Sequence, residues 1–87
     1  MSFRVIFSSK SSKKIKSLDS GLKERIKNAI TELSDDPWEN GTLKVRGHVN
    51  VRRKRVGDYR IIYHIDEIRR ELLVAIVTKK DEEIYKF

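Results

Sequence analysis

Phe3, Val5 and Phe7 stand at alternate positions at the start of the chain, the period-2 pattern of a strand. The pattern then turns polar. Ser8 to Ser12 offers several hydroxyl N-caps. A helix from about Lys10 to Leu18 follows, with Ile15 and Leu18 inward and its lysines outward, broken at Asp19-Ser20-Gly21. The clearest helix comes next: Leu22, Ile26, Ala29, Ile30 and Leu33 recur at helical spacing. Ser20 and Glu24 sit near a capping arrangement at its start. Pro37 predicts its end, because proline disfavours helical geometry in the residue before it.

Beyond a loop closed by Asn40-Gly41, the period switches to 2. Leu43 and Val45 predict a short strand, followed by a break at Gly47-His48. Val49 to Val56 alternates apolar and basic residues, and Gly57-Asp58 is the kind of dipeptide that closes a tight hairpin. Tyr59 to Ile65 is the returning strand, with Tyr59 and Tyr63 facing the core and Arg60 the opposite side. Asp66 to Arg70 forms a charged turn. Leu72 to Val77 is apolar at every position, as suits a central strand covered on both faces. Glu82 to Phe87 forms a last helical turn or a tail. Helices followed by consecutive strands predict an α+β fold of two layers in a single domain over residues 1–87, both helices on one face of a mostly antiparallel sheet. The other face is left available.

Eighty-seven residues suffice for one domain and not two. There are no cysteines, which excludes disulfide frameworks, thiol catalysis and cysteine-bearing zinc sites. The two histidines, His48 and His64, are far apart, and no carboxylates stand at ligand spacing around them, so no metal and no cofactor are expected. No apolar run approaches the length of a membrane span, and the N-terminus lacks the pattern of a signal peptide. A cytoplasmic location is the expectation.

Charge changes the picture more. The chain carries a formal +7, from 20 Lys and Arg against 13 Asp and Glu, which points to a polyanionic partner. Residues 1–30 hold eight basic and two acidic residues, a +6 excess read as the solvated outer faces of helices. Residues 31–43 hold four acids and no base. Residues 44–60 hold seven bases (Lys44, Arg46, Arg52, Arg53, Lys54, Arg55 and Arg60) and one acid, again +6. Four consecutive cations repel one another, and alternation sends Arg53 and Arg55 to one face, Arg52 and Lys54 to the other. Arginine dominates, and its planar fork suits phosphate oxygens. An edge strand protected by charge against aggregation is the competing explanation. Trp38, beside a proline in an acidic loop, reads as a packing residue.

The stretch Arg53-x-Arg55-Val56-Gly57-Asp58-Tyr59-Arg60-Ile61-Ile62-Tyr63 closely resembles the hairpin signature of the RelE/ParE superfamily of toxins from bacterial and archaeal toxin–antitoxin systems. Leu43-Lys44-x-x-Gly47 is similar to that family's Leu-Lys-Gly element, and the ending Lys79-Lys80…Tyr85 also matches. The resemblance covers nearly the whole chain and implies the RelE-like order β-α-α-β-β-β. The hairpin identifies the superfamily and does not separate its branches.

The RelE branch implies metal-independent cleavage of messenger RNA in the ribosomal A site. The ribose 2′-OH attacks the adjacent phosphorus and the 5′-oxygen leaves, which requires a base for the 2′-OH proton and cations for the phosphorane charge. Matched residue by residue, the resemblance implies catalytic roles for Arg53, Arg60, Lys79 or Lys80, and Tyr85; the other cations of the cluster, Lys44, Arg46, Arg52, Lys54 and Arg55, are the candidate RNA contacts. The chain departs from the pattern at Val51, where some RelE toxins carry a basic residue, and at Lys79-Lys80, where arginine is common. Arginine is a poor base, its pKa exceeding roughly 12. The base therefore stays open among Lys, Tyr and His; a two-histidine ribonuclease is disfavoured because nothing in the sequence pairs His48 with His64. The ParE branch implies instead a poison of DNA gyrase, and a non-catalytic relative would only bind nucleic acid or a partner. The family implies a RelB-type antitoxin within a higher-order heteromeric complex, and the cationic surface from Lys44 to Arg60 points to an acidic partner, partly disordered until bound, that covers Arg53, Arg55 and Arg60.

Overall fold

The computed structural model describes residues 2–79. Its elements run β1 (Arg4–Phe7), α1 (Ser9–Ser17), α2 (Ser20–Asp35), β2 (Thr42–Lys44), β3 (Val51–Val56), β4 (Tyr59–Asp66) and β5 (Glu71–Lys79). The five strands form one sheet in the order β1-β5-β4-β3-β2. β1 pairs parallel with β5, Val5 against Leu72 and Phe7 against Val74, and the other pairings are antiparallel. The α+β reading holds, and the four strands after the helices are the four read from the residues, one more than the order the resemblance implies: β2 is a three-residue edge strand paired on β3. Glu82 to Phe87 lies outside the described residues.

Both helices start on side-chain caps. Ser8 caps α1, its hydroxyl accepting from the Ser11 N–H at 3.0 Å. Asp19 caps α2, its carboxylate accepting from the Leu22 N–H at 2.9 Å. Asp19 thus takes the place expected for Ser20 and Glu24, one residue earlier, and a carboxylate there also suits the positive end of the helix dipole. Asp36, ahead of Pro37, has left the helical region at φ −147°, as proline requires.

The helices pack on one face of the sheet. Ile15, Leu18, Ile26, Ile30 and Leu33 meet Ile61, Tyr63, Ile65, Leu72, Val74 and Val77 in the main core. Tyr63 is the largest fully buried side chain, and its hydroxyl donates to the Pro37 carbonyl at 2.6 Å. The assignment of Tyr59 and Tyr63 to the core side is correct. Trp38 is exposed by 44%, yet it meets Phe3 edge-on, with ring centroids 5.8 Å apart.

β5 is an interior strand between β1 and β4, as its unbroken apolar run predicted, but its alternation is interrupted. Ile62 pairs with Ile76 and Tyr63 with Val74, so one extra residue, Ala75, bulges out. Ser11 of α1 and the N-cap Ser8 brace this bulge: the Ser11 hydroxyl donates to the Val74 carbonyl at 2.8 Å and the Ser8 hydroxyl to the Ala75 carbonyl at 2.7 Å. Before the bulge Leu72 and Val74 face the helices. After it, parity inverts, and Val77 takes that face while Ile76 and Thr78 look to the open side.

Candidate functional site

The face opposite the helices carries a second, smaller apolar cluster, in which Val45, Ile62 and Ile76 are buried with Val51 and Ala75 against them. Val51, at the position where a base was sought, serves this packing. The segment after β2 folds toward this face: the Val45 N–H donates to the Val51 carbonyl at 2.9 Å, and the His48 N–H to the Val45 carbonyl at 3.3 Å. Cations surround the cluster.

Arg53 opposes Ile62 across the β3–β4 ladder, and Arg55 directly opposes Arg60. Like charges in directly opposed positions destabilise a sheet. Arg60 is half-buried, and Thr78 lies opposite it on β5. Arg53 also lines a depression of about 210 Å³ together with Lys44, Val45, Arg46 and His48. Four of these five are basic residue types, so the pocket attracts anions. The Arg55 Nε donates to the Gly57 carbonyl at 3.0 Å, which turns its head toward the hairpin tip.

The structure divides the run of basic residues on β3. Arg53 and Arg55 share the open face with Arg60, while Arg52 and Lys54 point toward the helix layer. Arg52 donates from Nε and Nη2 to the Thr42 hydroxyl at 3.1 and 2.9 Å. Lys54 pairs with Glu39 at 2.6 Å, both side chains mostly buried at 17% and 22% exposure. Partners within the fold thus take Arg52 and Lys54 largely out of solvent. The loop before β2 wraps the edge of the helix layer and supplies the partners. The helix-side position separates Arg52 and Lys54 from the other candidate RNA contacts. Burial pushes the Tyr63 phenol above its ordinary pKa, while the neighbouring Thr42 and Arg52 pull the other way.

Lys79 is also separated from Arg60. It opposes Tyr59, whose ring packs on the main core, so the parity change at the bulge gives the place opposite Arg60 to Thr78. Lys80 and Tyr85 lie outside the described residues. The residue that sequence reasoning set aside is His48: it joins Arg53 in the pocket through a turn whose geometry no periodicity reports. His64 sits on β4 between Val51 and Leu73 and does not line that pocket. Among the described residues no group of three or more His, Asp or Glu could hold a metal ion. No helix among them is long and apolar enough to cross a membrane.

Relatives share this architecture. The isolated RelE toxin of E. coli superposes with a TM-score of 0.82 at 20% identity, over 93% of this chain and 87% of the other. The RelE–RelB complex of Pyrococcus horikoshii gives 0.82 at 22% identity, covering 95% of this chain and 100% of that one. A YoeB/ParE toxin from Agrobacterium tumefaciens gives 0.77 at 16% identity, over 87% and 96% of the two chains. At these identities the likeness establishes the fold. No curated protein matches the sequence. The family profile described as ParE toxin of type II toxin-antitoxin system, parDE, matches residues 5–83. A chain matched over nearly its whole length by that profile, and built on the RelE fold, belongs to the RelE/ParE superfamily of toxins from type II toxin–antitoxin systems.

Proposed function

We propose that this toxin cleaves messenger RNA on the ribosome, using the open face of its sheet. The observation that supports this reading best is the cationic pocket that Arg53 lines with Lys44, Arg46 and His48, beside Arg60 on the same face of the sheet. In this reading the scissile phosphate sits over Arg53 and Arg60, whose charges stabilise the phosphorane as the 2′-oxygen attacks and the 5′-oxygen departs. Arg55, Lys44 and Arg46 hold neighbouring phosphates. His48 is the residue type at the pocket best suited to exchange a proton near neutral pH, and Tyr85 and Lys80 stay candidates from the family pattern.

The neutralising partner is an acidic antitoxin of the RelB type, encoded with the toxin. Its charge matches the face it must cover, and opposite charge speeds capture. Several similar folds were solved as RelB–RelE complexes, from E. coli, Mycobacterium tuberculosis and Pyrococcus horikoshii.

The test is expression in a translating extract with the cuts mapped along the message. Breaks inside codons at paused ribosomes are expected. Intact messenger RNA beside inhibited gyrase supercoiling would favour the ParE-like reading, which the family match keeps in play. Salt-dependent RNA binding with neither effect would identify a non-catalytic relative.

A further inference from the structure

Arg25 lies outside every group of candidate residues named above, in the stretch whose charges read as solvated. The fold gives it another position. Its guanidinium reaches from α2 over the tip of the β3–β4 hairpin: a Cβ added at Gly57 would stand 3.2 Å from the Arg25 Nη2 and 3.5 Å from Nη1. Between α2 and the hairpin opens a cleft of about 360 Å³ whose wall includes Arg25, Asn28, Glu32, Lys54, Arg55 and Gly57.

Arg55 connects this cleft to the open face. By register it opposes Arg60, but its side chain bends round the hairpin tip, bonds the Gly57 carbonyl and lines the cleft. The two ends of the cleft differ in charge. Lys54 is held by Glu39, and Glu32 lies seven residues from Arg25, about 10 Å further along the helix. The Arg25–Arg55 end holds two guanidinium groups, and Arg25 makes no ion pair among the described residues. Asp19 and Asp58 line a separate depression on the other side of Arg25, so the room for an anion lies on its Arg55 side, where a single phosphate can meet both guanidinium groups.

We infer that this cleft is a phosphate subsite for RNA running off the open face, with Arg25 and Arg55 on one phosphate of the flanking strand and the Asn28 amide beside its nucleoside. The inference rests on the RNA reading proposed above and extends it to a residue the resemblance does not reach.

The test measures binding of a nine-nucleotide single-stranded RNA with 2′-O-methyl sugars, which cannot be cut, between about 50 and 200 mM salt. Each phosphate contact on a single strand adds about 0.7 to the slope of log affinity against log salt. That slope corresponds to about fivefold in affinity near 0.1 M salt. Arg25→Gln is expected to flatten the slope by about that amount and weaken binding about fivefold, while Lys13→Gln, an equal charge change on α1, does neither. Asn28→Asp, which places a carboxylate in the wall, should also weaken binding. If Arg25→Gln and Lys13→Gln behave alike while the unaltered protein binds RNA, the subsite is wrong and the open-face reading survives. If the unaltered protein does not bind RNA at all, both readings fall. An equal loss for a poly-glutamate chain of matched charge would show general anion attraction, and would also overturn the subsite.

Discussion

Two adjacent cations on β3 face opposite sides of the sheet, so replacing them should break different properties. Lys54→Met keeps most of the side-chain stem and removes the charge from a pair with Glu39 at 2.6 Å. Both partners are less than a quarter exposed, so the loss is larger than for a surface ion pair. A hydrogen bond to a charged group contributes about 1.5–3 kcal/mol, and the abandoned Glu39 keeps some water, which places the loss near 2 kcal/mol. For a domain of this size that lowers the melting temperature by about 8–16 °C. Pairing the change with Glu39→Leu should recover most of the loss, because no charge is then left without its partner. Arg53→Gln is the mirror case: it should leave the melting temperature within about 2 °C and abolish growth arrest. The assays are thermal denaturation by circular dichroism and induced expression at a temperature where each variant stays folded. A Lys54→Met protein that melts normally but no longer arrests growth would refute the division of β3 into a structural and a functional face.

Arg60→Ala should reduce RNA cleavage by about 10²–10³ in turnover, by analogy with the loss of one oxyanion donor, while circular dichroism stays unchanged; full activity would make the hairpin arginine structural. Ser11→Ala removes one of two bonds to the Val74 carbonyl, which still accepts from the Ser8 N–H at 3.1 Å. The expected loss is about 1 kcal/mol in urea unfolding, and a loss several times larger would mean the bulge collapses without its brace. Tyr63→Phe probes pH. Because burial raises the folded phenol's pKa, its contribution is complete below the unfolded value near 10 and is lost as pH rises through the folded value. Denaturation midpoints of the unaltered protein should therefore fall more steeply than those of the variant as pH rises above about 10.

The elements with strong periodicity were legible in the sequence. The apolar positions of α2, the Gly57-Asp58 turn and the alternation of β4 each carry a signal that tertiary packing reinforces. The bulge was not legible, and for a definite reason. Residues 72–77 are apolar at every position, so they carry no alternation from which to read a face. The side taken by Lys79 depends on that hidden parity. The split of β3 was legible as alternation, but its outcome depended on Thr42 and Glu39, which the loop brings back onto the edge of the sheet. His48 entered the pocket through a turn in which Gly47 has φ +81° and Asn50 φ +59°, local geometry with no periodic trace.

The parallel pairing of β1 with β5 joins residues 67 positions apart, such as Arg4 and Glu71. The middle of the sheet is therefore completed only after residue 79 has been translated, although its first edge exists from the start. At about 5–20 residues per second, that interval lasts roughly 3–15 s. The Arg60 strand is complete at residue 66 and waits for β5 only over the last 13 residues of that interval, roughly 0.7–3 s. For a member of a type II toxin–antitoxin family, that order means the assembled sheet, and any face it presents, forms only once nearly the whole described chain exists.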